Sequence, residues 1–335
     1  MKKQNAFSLI EVVFVLVLLG IISAIGSSII VQVYESHITQ RAIYNASTKT
    51  ELVANQIVNR LSNRIPNSTI SKDHSAFLAG DTPIKEGNWV ELKDLTPSNN
   101  FTTIEWIGAD NDGFSVAQNP LWSSLCNYPN SAKKGISVPG VDATMKGQMS
   151  NIMSNLSNGK VMLTASRSAA ILFQEENNLY NSTEAYSPEC MGLLGDTNIS
   201  CIFPVRLVND SFTFLFTPVH NSTEKRVTER FKLTWSAYTI ALEPNPNNGL
   251  NTLFLYSNYQ PWKNNTGALP SGADGILFNS SENYIDNGTK KTLLTNVSSF
   301  TFSEIGDSIR FKICVSERLN RDENLTTCKE KVVLP

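Results

Sequence analysis

The sequence is poor in the residues and motifs from which most active sites are built. Its three histidines lie far apart, at positions 37, 74 and 220 of 335 residues. An H-E-x-x-H zinc motif, a G-x-S-x-G nucleophile turn and a glycine-rich phosphate loop are all missing from it. We therefore expect that the chain is not an enzyme and that it holds no resident cofactor.

Concentrated positive charge is lacking as well. The 28 lysines and arginines are outnumbered by 30 aspartates and glutamates, which gives a formal net charge of −2. The sequence contains no basic cluster of the kind that contacts to a phosphate backbone require. Nucleic acid is therefore not an expected partner.

A long apolar run is the most informative feature that is present. Residues 7–31 carry a single charged residue, Glu11, close to the start of the run. As a helix these 25 residues would extend about 37 Å, which exceeds the roughly 30 Å of a bilayer's hydrocarbon core. An ionised carboxylate inside a membrane costs several kcal/mol unless it is neutralised, so an acid in this place is expected to be functional.

The flanking charges predict the orientation of this span. Lys2 and Lys3 precede it, and the first basic residue after it is Arg41, so the N-terminus should remain in the cytoplasm and the rest should lie outside. A cleaved secretory signal is the alternative, with Ala24-Ile25-Gly26 as its small-residue cleavage site. That alternative requires a shorter apolar region without an internal acid.

The segment Phe7-Ser8-Leu9-Ile10-Glu11, between a short basic leader and the apolar run, resembles the type IV prepilin family. That family includes pilins and the pseudopilins of type II secretion. The resemblance implies that prepilin peptidase cuts between Ala6 and Phe7 and N-methylates Phe7, which would leave a mature chain of net charge −4. Two positions depart from the family pattern, because Ala6 replaces the usual glycine before the cut and Ser28 replaces a common proline.

The resemblance also implies a role for Glu11 in assembly. In the family this acid is thought to pair with the N-terminal amine of a neighbouring subunit as the filament grows, and such pairing relieves the cost of two charges in low dielectric. The alternative is an acid near the membrane edge that stays hydrated or protonated.

Beyond the membrane the helix is predicted to continue before a globular region begins. We divide the chain into a leader (1–6), a transmembrane helix (7–33), a helical continuation (34–65) and a globular domain (66–335). Pro66 is expected to end the helix. Apolar residues of helical period predict one face that the globular domain buries: Ile38, Ala42, Ala46, Val53, Ile57, Leu61 and Ile65.

The globular domain is predicted to be mainly antiparallel β, which makes the whole chain α+β and pilin-like. Two subdomains are conceivable, a loop-rich one at 66–160 and a β-rich one at 161–335. A short helix that contains Met149 and Leu156 should end at Asn158-Gly159. Strand-like runs occur at 89–92, 101–107, 160–164, 169–173, 199–208, 211–219, 227–242, 252–256, 298–302, 308–315 and 329–334.

A finer resemblance lies in the segment from Leu293 to Phe302, which looks like a stretch of J-type minor pseudopilins and W-type minor pilins. The mature chain would be large for a subunit that repeats along a filament. Together these features imply a minor subunit that helps to initiate or cap a fibre. The K-type minor subunits, which are also large, typically lack the acid that Glu11 supplies.

All five cysteines lie beyond the apolar run, as suits an oxidising exterior. The spacings make Cys190–Cys201 and Cys314–Cys328 the candidate local disulfides, although spacing alone does not fix the connectivity. The second pair would staple the final strands, as the resemblance to pilins also implies. Cys126 is left over and is expected to be a buried free thiol rather than a metal or redox residue.

Two further motifs are weaker. Asp110 and Asp112 are calcium candidates by composition, but the EF-hand glutamate is missing, so a hairpin turn before Phe114 is favoured. Asn198 and Asn324 fit an acid-extended N-glycosylation pattern that some bacteria use. In a chain so rich in asparagine, coincidence is the safer interpretation of both.

These observations predict a single-pass protein of the bacterial inner membrane whose globular domain is periplasmic and which is extracted into a fibre. Its expected partners are the membrane, other minor and major pseudopilins or pilins, prepilin peptidase and an inner-membrane assembly platform. The function is a structural subunit of a type II secretion pseudopilus or a type IV pilus. The alternative is an adhesive or substrate-binding minor pilin at the tip.

Overall fold

The computed structural model of the chain describes residues 8–78, 87–99, 101–115, 120–126, 135–137, 143–163, 169–173, 187–194, 201–208, 211–214, 229–246, 249–263, 282–318 and 324–334. The helices are α1 (Leu9–Leu61), α2 (His74–Leu78), α3 (Asn111–Ser115) and α4 (Ala143–Leu156), with 3-10 turns at Leu92–Asp94, Pro97–Asn99 and Pro261–Lys263.

The strands, in chain order, are β1 (Ile70–Lys72), β2 (Trp89–Glu91), β3 (Thr103–Ala109), β4 (Gly135–Ser137), β5 (Ala169–Phe173), β6 (Phe203–Val208), β7 (Ser211–Phe214), β8 (Phe231–Pro244), β9 (Asn251–Tyr259), β10 (Thr289–Ile305), β11 (Ser308–Arg318) and β12 (Asn324–Val333). Within the described residues they form one sheet in the order β12-β11-β10-β9-β8-β5-β6-β7-β4, and the pairs β3–β8, β1–β3 and β1–β2 branch from it. All these pairs are antiparallel. The α+β class predicted from the sequence is confirmed.

The sheet branches at β8. This strand is long enough to pair with two strands, β5 and β3, along the same edge. Its first residues pair with β5, through Phe173↔Phe231 as one example. Its later residues pair with β3, from Ala109↔Thr234 to Thr103↔Ala241. Strands from the loop-rich residues 66–160 therefore share a sheet with strands from residues 161–335, while the proposed division into subdomains stays a prediction.

The long helix α1 is the N-terminal element of the fold, and it ends at Leu61 rather than at the predicted Ile65. The side chains of Ser62 and Asn63 both donate to the carbonyl of Asn59, which ties up an acceptor in the last turn. Ile65 donates its backbone N–H to Ile107 on β3 at 2.8 Å. The chain therefore enters the sheet one turn earlier than Pro66 alone would suggest.

Only the second part of α1 contacts the sheet. Ala46, Thr50, Val53, Ala54, Ile57 and Leu61 are the buried residues of the helix. We call the cluster around them the helix-side core, and it combines that face of α1 with β3 and β8–β12. Its members at 3% exposure or less are Ala54, Ile57, Leu61, Leu92, Ile104, Trp106, Ile240, Leu253, Val297, Phe300, Ile309, Phe311, Ile313, Val315 and Val333.

The face of the sheet opposite α1, which we call the outer face, is covered by irregular segments rather than by a long helix. Residues 187–194, the turn Pro261–Lys263 and the turn that contains Tyr284 pack on β8 and β9 there. A third cluster lies under α4, where Met149 and Met153 contact residues of β5–β8. The sheet is therefore buried on both faces near its centre.

Most of the predicted strands are present, but the one predicted at 160–164 is not. Residues 160–163 follow the end of α4, where Asn158 and Gly159 have φ angles of 53° and 79°. Val161 is then held by the Ser157 hydroxyl at 2.9 Å. A single backbone bond joins this segment to β6, from the N–H of Leu207 to the carbonyl of Leu163, which is not a strand ladder. The predicted helix end at Asn158-Gly159 is confirmed.

Candidate functional site: the exposed part of the N-terminal helix

Glu11 lies in the first turn of α1. Ser8 is extended, with φ −68° and ψ 138°, and its carbonyl accepts the backbone N–H groups of Glu11 at 3.0 Å and of Val12 at 3.3 Å. The N-terminal end of a helix favours a negative charge, because the first backbone N–H groups are unpaired and the helix dipole is positive there. Ala6 and Phe7, the predicted cleavage and methylation residues, lie outside the described residues.

The helix that follows Glu11 is bare. Among the described residues, α1 is the one helix long and apolar enough to cross a membrane, and its most apolar stretch is 0% buried. Large side chains point outward around its whole circumference, including Leu9 at 85% and Ile30 at 70% exposure. A surface of this kind would be unstable in water, so it needs lipid or other protein chains around it.

Two glycines in this bare part have no function within the subunit itself. A Cβ atom added at Gly20 or Gly26 would meet nothing within 4 Å. Glycine inside a helix costs about 1 kcal/mol relative to alanine, so its presence here calls for another reason. Small residues let a second helix approach closely in a membrane, and Ser23, Ser27 and Ser28 add to this property.

The second part of α1 is fastened to β12 by exposed ion pairs. Glu51 accepts a hydrogen bond from the ammonium group of Lys331, and Lys329 lies 3.6 Å from its other oxygen. The hydrogen bond from Lys331 holds the pKa of Glu51 below its usual value, although some desolvation acts against it. These contacts add to the apolar packing of the same face.

Arg64 closes the helix against the far end of the sheet. Its guanidinium donates to three backbone carbonyls, those of Leu61 at 3.1 Å, Leu334 at 3.3 Å and Asp307. The side chain is 7% exposed, and burial lowers its pKa while Glu304 and Asp307 act in the opposite direction. Arg64 could not be singled out from the sequence, because two of its three partners, Asp307 and Leu334, lie 243 and 270 positions away.

The predicted hairpin at residues 110–113 is wrong, since these residues begin α3. Asp110 caps this helix by accepting the N–H of Gly113 at 2.9 Å. The indole N–H groups of Trp122 and Trp235 also donate to its two oxygens, at 3.1 Å and 3.0 Å. Burial raises the pKa of Asp110, although these donors counteract part of the rise.

The calcium candidates are not brought together into a metal site. Three N–H donors already occupy Asp110, which is 3% exposed, whereas Asp112 lies on the exposed surface of α3. Across the described part of the chain, no three histidine, cysteine, aspartate or glutamate side chains converge as metal ligands would. The sequence does not predict that Asp110 lies close to the two indoles, because Trp235 belongs to β8, which is distant in the chain.

Both predicted cysteine pairs lie at disulfide distance. Cys190 and Cys201 join two of the segments that cover the outer face of the sheet. Cys314 and Cys328 face each other directly on β11 and β12. Cys126 is buried and belongs to neither pair. The two bonds therefore fasten different layers of the domain.

The two glycosylation candidates differ in what the structure describes. Asn324 is the first residue of β12 and is exposed. Asn198 lies outside the described residues. The assignment of either as a modified residue stays a prediction.

A buried polar network on the outer face was not anticipated from the sequence. Lys72 and Glu105 form an ion pair between β1 and β3, and each is 2% exposed. Tyr259 donates to Glu105 at 2.6 Å, and Lys72 donates to the carbonyl of Leu193 at 3.2 Å. Burial lowers the pKa of Lys72, and Glu105 opposes this. The pair is visible only once β1 and β3 are placed side by side, with Ile70 opposite Glu105.

Comparison with known proteins gave one match, and it covers the N-terminus. Residues 1–27 match the prokaryotic N-terminal methylation motif. No curated protein and no solved structure matches the chain significantly. The motif is typical of structural subunits rather than of enzymes. Together with the bare apolar helix and the antiparallel domain, it supports a type IV prepilin-like protein with one membrane-anchoring helix.

Proposed function

We propose that the protein is a minor pseudopilin or pilin that helps to initiate or cap a type II secretion pseudopilus or a type IV pilus. In this proposal the leader 1–6 is removed between Ala6 and Phe7, and Phe7 is then N-methylated. Residues 7–33 anchor the subunit in the inner membrane. Residues 34–65 connect the anchor to the domain, and residues 66–335 lie in the periplasm until the subunit enters the fibre.

The observation that carries the proposal is the contrast within α1. Its apolar first part has no contact surface within the subunit, yet it contains close-approach glycines and a single carboxylate at its start. Lipid alone would satisfy the apolar side chains but would leave Glu11 without a counter-ion. The amine created at Phe7 of a neighbouring subunit supplies that counter-ion, so each new subunit is placed in register beside the previous one.

The proposed partners follow from this exposed part of α1 and from the family resemblance. Other pilin-like subunits pack against the bare part of α1, prepilin peptidase processes the leader, and an inner-membrane platform moves the subunits outward. Within this proposal we assign the chain to the J-type or W-type minor subunits, because it combines a large domain with the acid at Glu11.

A second candidate is a tip subunit that binds a surface or a secreted substrate. The feature that favours it is the layer under α4, whose core of Met149, Met153, Phe203 and Phe231 is separate from the helix-side core. A fibre subunit needs only the helix-side core to hold its anchor. In this second candidate, the surface of the additional layer would bind the target.

The proposed role of Glu11 is tested by Glu11→Ala in the native host, with Glu35→Ala as the matched control. Glu35 is also an exposed glutamate of α1, but it lies beyond the apolar run. We expect Glu11→Ala to enter the membrane, to be cleaved and to be methylated, while its incorporation into sheared fibres falls to background. The control should assemble normally. Normal assembly of Glu11→Ala would refute the assignment.

Processing is tested separately by the mass and the N-terminal sequence of the native protein. The expected N-terminus is N-methylated Phe7. An intact leader, or a start beyond the apolar run, would overturn the proposal, because the amine that Glu11 needs would not exist. Deleting the genes for the fibre and then for the secretion platform would distinguish a pilus subunit from a secretion subunit.

A further inference from the structure

His74 occupies a buried position between Tyr284 and Glu243. It begins α2 and is 4% exposed. Its Nδ1 atom lies 2.9 Å from the hydroxyl of Tyr284, and the two rings stack at 5.9 Å between centroids. Among the residues that the structure describes, its Nε2 atom has no hydrogen-bond partner, and it lies 3.7 Å from a carboxylate oxygen of Glu243 on β8.

Glu243 is already engaged by two other groups. Lys290 of β10 pairs with its Oε2 atom at 2.7 Å, and the hydroxyl of Tyr256 on β9 donates to its Oε1 atom. The ammonium group of Lys290 also lies 4.0 Å from the centroid of the Phe254 ring and 5.4 Å from that of Tyr256. Lys290 therefore rests against the aromatic face of β9, with its side chain 43% exposed.

The electrostatic surroundings fix the preferred form of neutral His74. A lone pair on Nε2 would face the negative carboxylate of Glu243, so the proton is better placed on Nε2. The hydroxyl of Tyr284 then donates to Nδ1. The other charged groups around this ring pair are Asp73, which is the neighbour of His74 in sequence, and the ion pair of Lys72 and Glu105. The ammonium group of Lys72 lies 6.0 Å from the centroid of the Tyr284 ring.

Adding a proton to His74 changes two contacts at once. Nδ1 becomes a donor, so the hydrogen bond with Tyr284 reverses its direction and the hydroxyl hydrogen of Tyr284 must turn away. Nε2 becomes part of a cation that faces Glu243 at close range. Two cations, His74 near Oε1 and Lys290 at Oε2, then share the single negative charge of Glu243 and repel each other. Lys290 is the one that can leave for solvent, because His74 is buried and cannot.

We propose that the His74–Glu243–Lys290 cluster is an acid-operated switch, in which protonation of His74 draws Glu243 away from Lys290 and releases Lys290 from the aromatic face of β9. The switch lies on the outer face of the sheet, away from α1, so it is independent of the proposed assembly role of Glu11. It connects α2, β8, β10 and the turn of Tyr284, and it gives this surface two arrangements of charge.

The direction of the pH response follows from the burial of the ring. Desolvation is the largest influence and lowers the pKa of His74 below its ordinary value, while Glu243 raises it, Lys290 lowers it and Asp73 raises it. The folded protein thus prefers neutral His74 more than the unfolded chain does. The stability this preference contributes is present above the ordinary histidine pKa and is lost as the pH falls through the lowered one. Release of Lys290 is accordingly expected at a pH below the ordinary histidine pKa.

The first test measures the titration of His74 by NMR, with full-length protein in detergent micelles and ¹³C-labelled histidine. His74→Gln assigns the resonance among the three histidines. We expect Glu243→Gln to lower the measured pKa by about one unit and Lys290→Gln to raise it by a smaller amount. Unchanged titration in both variants would overturn the proposal, as would a rise with Glu243→Gln.

The second test follows Lys290 directly by amine acylation and mass spectrometry. Lys291, its exposed neighbour on β10, reports the general effect of pH on amine reactivity and serves as the internal reference. The labelling ratio of Lys290 to Lys291 should increase at least twofold between about pH 7.5 and pH 5. The ratio should stay constant in His74→Gln, provided that its circular dichroism matches the parent. A constant ratio in the parent, or the same increase in the variant, would refute the switch.

Discussion

The first and second parts of α1 form one continuous helix, but they meet different surroundings. Residues 9–45 have no buried position among them, whereas the residues from Ala46 to Leu61 bury six side chains against the sheet. Within the first part, residues 12–31 are apolar on all sides of the helix, whereas the second part is apolar along one stripe only. The comparison teaches that the angular width of the apolar surface on the helix matters more than how hydrophobic it is. A helix that is apolar all round faces other molecules, whereas a helix with one apolar stripe packs on the subunit's own core.

The sharpest test of this contrast replaces one isoleucine in each part by alanine. Ile57 is 1% exposed in the helix-side core, and Ile29 is 54% exposed in the first part. Ile57→Ala should lower the free energy of unfolding of the domain by about 2 to 5 kcal/mol, because it leaves a cavity. Ile29→Ala should leave it within about 0.5 kcal/mol. Chemical denaturation of detergent-dispersed monomers, followed by tryptophan fluorescence, measures both.

Equal losses of stability in the two variants would break the comparison. They would mean that the first part of α1 also packs on the domain. Fibre incorporation provides the complementary measurement, because Ile29→Ala should affect assembly without affecting the unfolding of the dispersed subunit.

A second test compares two arginines at the end of α1. Arg64 is buried and donates to three carbonyls, whereas Arg60 is exposed and lies 5.1 Å from the centroid of the Tyr238 ring. Arg64→Gln should cost about 1 to 3 kcal/mol, since it removes the charged donor that links the end of α1 to the carbonyls of Asp307 and Leu334. Arg60→Gln should cost about 0.5 to 1 kcal/mol. If the order of the two losses in urea denaturation were reversed, Arg64 would not be the contact that closes the helix on the sheet.

The smallest effect is expected at the ion pairs of Glu51. Glu51→Gln should lower the unfolding midpoint slightly at low salt, and the difference should vanish at high salt because the pair is exposed. The pKa of Glu51 is lowered in the folded state, chiefly by Lys331. Its contribution is therefore present above the ordinary glutamate pKa and is lost as the pH falls through the lowered value. Parent and variant should have equal midpoints below that pH, and a difference that persists there would contradict this account.

Much of the fold was predictable because its signals are local. The apolar run gave α1, the alternation of Phe300, Phe302, Ile309 and Phe311 gave β10 and β11, and Asn158-Gly159 gave the end of α4. Long-range pairing was not predictable. The double pairing of β8, to β3 and to β5, depends on partners that are distant in sequence and that no local pattern marks.

The residues of the candidate site also differ in whether a local sequence signal predicts them. Glu11 was recognisable because a lone acid in an apolar run is itself unusual. The turn predicted at Asp110 failed because its oxygens are satisfied by two tryptophans, one of them from β8, which stabilises a helix cap instead. His74 gave no signal, since the significance of a single histidine depends on Tyr284 and Glu243, and tertiary structure alone brings these together.

The order of elements along the chain bears on how the protein is made. The buried stripe of α1 is translated by Leu61, but β10–β12, the strands that cover most of it, begin about 230 residues later at Thr289. At 5 to 20 residues per second, the stripe stays uncovered for roughly 10 to 50 seconds after it leaves the ribosome. During this interval the nascent chain exposes an apolar surface that the finished subunit buries, so slower translation should increase its aggregation during expression.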